Sequence, residues 1–287
     1  MRRKPMSTTL FEWLIRQYPQ ASRQTLRRMV ADGRVSINGQ RARSLKLPVG
    51  EGDRVEVSGR RRPAPPSLQP LEAVHEDDDV LVVNKPAGLL TSTVARERRP
   101  TAIGIIRRYL AHRQPGARPG VVHRLDRDAS GLLVFSKNDR AFASLKRQFF
   151  HHTVDRHYLA VVHGKPRPPA GRIESLLSER PDGSVKQTRR RGAQLAVTEY
   201  EVVRTAGRWS VLRLRLFTGR KHQIRAQLAG RGWPVVGDAM YGPQPPASER
   251  LLLCATLLAF DHPRSGERMT FSIPPPPEIQ AILDGRE

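Results

Sequence analysis

Cys254 is the single cysteine of this 287-residue chain, so no intrachain disulfide and no multi-cysteine zinc site can form. Its neighbours in LLLCATLL are apolar and mark it as a packing residue. The chain has no long uncharged apolar run of the kind a membrane-spanning helix needs and no visible cleavable leader, so the expected compartment is the cytoplasm. Walker loops and dinucleotide fingerprints are missing as well, which removes the usual signs of nucleotide-dependent chemistry. Acid is scarce: 27 Asp+Glu stand against 50 Lys+Arg, a formal charge of +23. A field of that sign attracts polyanions, and without a membrane segment the expected partner is nucleic acid. The nine histidines form no metal pattern. His151 and His152 are adjacent and point in different directions on any regular element, and no carboxylate stands at a ligand-like spacing, so neither metal nor cofactor is expected.

The chain is long enough for one large domain and a small one. Residues 1–60 form the small one, with residues 1–6 expected to fray. From Thr9 to Tyr18, Leu10, Phe11, Leu14 and Ile15 recur at helical spacing. A second helix starts at the N-cap residue Ser22, turns Leu26, Met29 and Val30 inward and ends at Gly33. Val35 and Ile37 then alternate with polar residues before the turn pair Asn38-Gly39, and Val55 and Val57 close the unit. The runs SRQTLRRMVADGRVSINGQ and VGEGDRVEV resemble the small α/β RNA-binding module first known from a small-subunit ribosomal protein. That resemblance implies that Arg23, Arg27, Arg28 and Arg34 face RNA, the plainer alternative being a solvated helix face. Residues 61–70 are rich in proline and arginine and read as a semi-rigid linker.

Residues 71–287 alternate β-rich runs with helical patterns at Thr101 to Arg113 and Arg140 to Phe150, without regular βαβ repeats. The fold class expected is α+β, with a mixed, mostly antiparallel sheet. Ser175 to Ala193, polar and arginine-rich, reads as an exposed insertion. The run Val121 to Asn138, VVHRLDRDASGLLVFSKN, carries the strongest chemical signal. Alternation predicts a strand from Gly120 to Leu125, a turn from Arg127 to Gly131 and a second strand from Leu132 to Ser136. Asp126 then sits at a strand end, where functional residues gather. A carboxylate buried there stays ionised only with a cation beside it, and Arg124 and Arg127 are the nearest in sequence.

HRLDRDASG followed by LLVFSKN resembles the catalytic signature of the RluA-type pseudouridine synthases. Three further blocks fit the same family in the same order: DVLVVNKPAGLLT from Asp79, RHYLAVVHG from Arg156, and LFTGRKHQIRAQLAGRGWPVVGDAMYG from Leu216. Departures are Ala129 where threonine is usual, Arg156 where lysine is common, and Cys254 where histidine is more frequent. The resemblance implies Asp126 as nucleophile or charge stabiliser, Tyr158 stacking on the base and moving a proton, and Arg225 pairing with the acid. Arg124 and Arg127 are implied RNA or pocket residues, along with Lys85, Arg220, Lys221 and His222. The expected reaction isomerises uridine in structured RNA, ribosomal large-subunit RNA first and transfer RNA second, by a monomer acting on an extruded base. Two rivals remain at this point. One is a glycoside hydrolase using Asp126 and Asp128; the other is a non-catalytic RNA-binding or ribosome-assembly protein with a vestigial pocket.

Overall fold

The structure, a computed structural model, describes residues 8–58, 66–92, 98–189 and 191–286. It divides into two compact units, Met1–Pro65 and Pro66–Glu287. The basic stretch 1–6 and residues 61–65 of the expected linker lie outside the described residues.

The first unit runs β1 (Thr8–Thr9), α1 (Leu10–Gln17), α2 (Arg23–Ala31), β2 (Val35–Ile37), β3 (Gln40–Arg41), β4 (Pro48–Val49) and β5 (Val55–Val57). Thr9 and Glu12 exchange a capping box at the start of α1, and the Ser22 hydroxyl accepts the Thr25 N–H at 3.1 Å to start α2, as the sequence predicts. Asn38 and Gly39, both at positive φ, make the turn that joins β2 to β3, and Leu10, Leu14, Leu26 and Val35 are fully buried beneath it.

The second unit contains β6 (Glu72–Glu76), β7 (Val80–Lys85), α3 (Ala102–Arg113), β8 (Gly120–Val121), β9 (Ser130–Ser136), α4 (Asp139–Phe150), β10 (Asp155–His163), β11 (Ala170–Glu179) and β12 (Val185–Gln187). It continues with β13 (Gln194–Ala206), β14 (Trp209–Leu216), α5 (Gln223–Gly230), β15 (Leu253–Asp261), β16 (Arg268–Ser272) and α6 (Pro277–Asp284). One sheet holds all eleven strands in the order β12-β11-β13-β14-β10-β15-β9-β7-β6, with β16 beside β15 and β8 beside β9. Every pairing is antiparallel except β15 with β9, so the sheet is mixed and mostly antiparallel. Alternate residues of β9 serve the two faces: Leu133 and Phe135 pack with Ile106 and Leu110 of α3, while Leu132 and Val134 pack with Leu145 of α4. A third cluster joins Cys254 to Ile279 and Ile282 of α6, which confirms the cysteine as packing.

Three expectations change. The strand expected over Gly120 to Leu125 stops at Val121, where its pairing with Phe135 ends. From there the chain leaves the sheet: the Val134 N–H is taken by His123 Nε2 at 3.1 Å, and Leu125 is bound by Thr91 instead of by a strand. Ser175 to Ala193 is not an exposed insertion either. Leu177 pairs with Gln187 and Glu179 with Val185, so β11 and β12 widen the sheet around buried Leu177 and Val185, whose two apolar side chains the many charges obscure in the sequence. The third is a His/Asp cluster that no sequence spacing announces: the fold gathers Asp77, Asp79 and His262. Asp79, 1 % exposed, already accepts from Asn138, Arg140 and Arg264, which explains a carboxyl held far below its ordinary range against the opposing effect of burial. Arg140 and Arg264 thus take up the Asp79 oxygens, while Asp77 faces His75 and His262.

Candidate active site

Asp126 lies in the irregular passage between β8 and β9, and the backbone on either side of it is pinned from below. Thr91 Oγ donates to the Leu125 carbonyl at 2.8 Å and accepts its N–H at 3.2 Å. The Arg127 carbonyl takes the Gly88 N–H at 2.9 Å and Lys85 Nζ at 3.0 Å. Lys85 is fully buried at the end of β7 and also donates to the carbonyls of Pro86 and Leu89. Burial pushes its ammonium down to about 8, against the upward pull of the Asp128 and Asp126 charges. Lys85 thus braces the Asp126 loop from behind. Thr91 and Gly88 were not singled out from the sequence, although both lie in the first matched block.

The cation facing Asp126 comes from α5, ninety-nine residues along the chain: Arg225 Nη1 lies 3.4 Å from Asp126 Oδ2. The rest of that guanidinium is held as a fork. Its Nε and Nη2 donate to the two oxygens of Asp238 at 2.7 and 2.8 Å, and Asp238 also accepts the N–H groups of Met240 and Tyr241. The Tyr241 ring lies beneath at 5.1 Å, and the Tyr241 hydroxyl faces His222 Nδ1 at 2.9 Å. Burial works against the charge on Arg225, but the two carboxylates outweigh it and push its pKa up; the same guanidinium overcomes burial to hold Asp238 down. The contact between Asp238 and Arg225 is the main feature of the site that the sequence analysis does not name. Asp238 stands in GDAMYG, inside the block that carries Arg225, but nothing in the spacing pairs the two.

Above these groups opens a cavity of about 580 Å³ whose wall includes Asp126, Tyr158, Arg225, Arg124, Arg156 and Phe150. Tyr158, on β10, is 6 % exposed; burial first and the Asp126 charge after it push its phenol up, so it keeps its proton at neutral pH. Arg156, which stands in place of the usual lysine, is buried in the wall with Nη2 donating to the Thr218 carbonyl at 3.2 Å and its guanidinium 5.5 Å from the Phe149 ring. Arg124 is exposed on the wall, and Arg220, Lys221 and His222 line it too. Arg127 differs from expectation. It forks onto Asp128 at 2.8 and 3.0 Å and gives Asp126 no hydrogen bond among the described residues. That fork occupies the second carboxylate a glycoside hydrolase would need. In the first unit Arg23, Arg27 and Arg28 are exposed on α2, and Arg28 and Arg34 share a separate recess with Gln24 and Thr25. No helix among the described residues is long and apolar enough to cross a membrane.

The family model described as RNA pseudouridylate synthase matches residues 79–230, and the S4 domain model matches residues 9–55. The chain is 34% identical over 273 residues to an uncharacterised RNA pseudouridine synthase of Bacillus subtilis, covering 92% of this chain and 89% of that one. It is 35% identical to the ribosomal large subunit pseudouridine synthase D of Zymomonas mobilis, covering 91% of this chain and 88% of that protein. Among solved structures, human RNA pseudouridylate synthase domain containing 1 superposes with a TM-score of 0.60 at 27% identity over 75% of this chain and 88% of that one. A matched model covering more than half the sequence, and relatives aligned along nearly all of it, place this chain in the RNA pseudouridylate synthase family, with an S4 domain ahead of the synthase unit.

Proposed function

We propose that the chain isomerises uridine to pseudouridine in ribosomal large-subunit RNA, with Asp126, Tyr158 and Arg225 as its catalytic residues and the cytoplasm as its place of action. The observation that carries the reading is the contact between Asp126 and Arg225 at the floor of a cavity open to solvent. In the reaction the bond from ribose C1′ to uracil N1 breaks, the base turns, and C1′ bonds to C5. N1 gains a proton and the proton on C5 is lost, so atoms balance without redox chemistry or an added group. Asp126 acts at the sugar while that bond is broken, and Arg225 sets its guanidinium against that carboxylate and holds it in place. The Tyr158 ring stacks on the base, and its protonated hydroxyl takes part in moving the proton.

Reaching the acid requires the uridine to leave its stack, at roughly a few kcal/mol, less for an unpaired base. Phosphate contacts by the arginines of both units offset that cost. The ribosomal assignment draws on the named activity of the Zymomonas relative and on the basic face of the S4 domain, where Arg23, Arg27, Arg28 and Arg34 meet RNA. Chemical mapping of pseudouridine in RNA from cells with and without the gene tests it. At least one site in large-subunit RNA should vanish without the gene; a missing site confined to transfer RNA would move the substrate there, and no missing site would favour a binding role. Tyr158→Phe keeps the ring and removes the hydroxyl, so RNA binding should persist while turnover falls; unchanged turnover would remove the proton-transfer role.

A further inference from the structure

Phe150 is the last residue of α4 and, among the described residues, the most solvent-exposed large apolar side chain, with 77 % of its surface open. The helix repeat explains why it faces out. Leu145 and Phe149 turn toward the sheet, where Phe149 stacks on His123 at 4.5 Å, and one residue further along the helix the side chain swings away from that face. A single exposed phenylalanine on a protein surface ordinarily means nothing. Its surroundings make this one different. Phe150 stands on the wall of the cavity that holds Asp126, with Lys146 one helical turn before it and His152, Arg156 and Arg220 in the same wall. His152, at a φ of +58°, lies just past the C-terminus of α4 and on the same wall. The ring meets the His151 ring nearly at right angles, centroids 5.1 Å apart, and otherwise stands largely open on a wall that also carries Lys146, Arg156 and Arg220, beside the place where a base must enter.

We infer that Phe150 is a stacking platform for an unpaired base next to the target uridine in the RNA strand, with Lys146, His152 and Arg220 receiving the phosphates on either side. The inference rests on the synthase reading only for the identity of the neighbouring base. A strand that gives up one base to the cavity loses stacking on the neighbours of that base, and an aromatic ring at the rim restores one of those contacts. Base–aromatic stacking tolerates any base, so Phe150 adds affinity without adding sequence preference.

The test uses the full chain as wild type, Phe150→Ala, Phe150→Leu and Phe150→Tyr, with two probes that need no catalysis: a short fluorescent single-stranded oligouridylate at raised salt, and inorganic polyphosphate, a polyanion without bases. Phe150→Ala should bind the oligouridylate about tenfold more weakly, Phe150→Tyr should restore binding and Phe150→Leu should not, while polyphosphate binding stays the same in all four. In tritium release from RNA labelled at uracil C5, the loss in Phe150→Ala should fall on KM more than on kcat. Oligouridylate binding unchanged in Phe150→Ala, full restoration by leucine, or an equal loss toward polyphosphate would each overturn the inference. If the wild type releases no tritium while oligouridylate binding still follows the aromatic ring, the synthase reading fails and the stacking platform stands.

Discussion

Arg225 is the residue on which the site turns, because it is committed twice: its fork belongs to Asp238 and only its third nitrogen reaches Asp126. Asp238→Asn should therefore leave the arginine present but loosely aimed. A misplacement of about 1 Å in a catalytic group can lower turnover about a hundredfold, and a fall in kcat of roughly ten- to hundredfold is expected, with a smaller change in KM, in steady-state tritium release. Arg225→Lys should lose as much, since an ammonium cannot hold both oxygens of Asp238 while facing Asp126. His123 gives a different test. Its Nε2 accepts the Val134 N–H and its ring is packed on Phe149, so burial and the Arg156 charge push its pKa down to about 3. The unfolded chain therefore takes up a proton, as the pH falls through the ordinary histidine range, that the folded one refuses. Stability is full above about pH 7 and declines as the pH falls toward 3. Urea midpoints at pH 7 and pH 5 should drop for the wild type and drop less for His123→Phe. That Asp126, Tyr158 and Arg225 belong together was legible, because each stands in a matched block, and they line one cavity. The Asp238 fork was not, because a partner thirteen positions away across a loop leaves no periodic signal.

Elements were legible where one face is apolar and the period is clean, as in α1, α2 and β9. They were lost where a tertiary partner decided the backbone. His123 to Leu125 alternate like a strand, yet the side of β9 they would need is left to the His123 ring, and Thr91 takes Leu125. β11 and β12 were hidden by their charged residues, because an edge hairpin shows few apolar positions. At this scale Gly131 has no room for a side chain. It sits at the start of β9 with a φ of +115°, and a Cβ there would lie 2.3 Å from the Ala255 carbonyl oxygen and 2.5 Å from its nitrogen, both backbone atoms of β15. Gly131→Ala should destabilise the fold by about 2 kcal/mol or more, from backbone strain and overpacking together. It should also lower activity by shifting the passage that carries Asp126, and urea unfolding with tritium release on the same sample checks both; a variant as stable as wild type would show that β15 yields.

The whole molecule carries a charge of +23, and that property was read from composition alone. RNA affinity should fall steeply with salt, by roughly 0.7 in log–log slope for each single-strand phosphate neutralised. Arg27→Ala and Arg28→Ala in the S4 domain should each weaken binding and reduce that slope by about one contact. Filter binding across a salt series checks this, and an unchanged slope in both would make α2 a solvated face. What composition does not reveal is where one of those charges goes: the fold sets the Arg225 guanidinium opposite Asp126 at the floor of an open cavity. Release of tritium from RNA labelled at uracil C5, prepared from cells lacking the gene, tests that account most directly. Wild type should release label and Asp126→Asn should fall to background; equal release by the two proteins would contradict it.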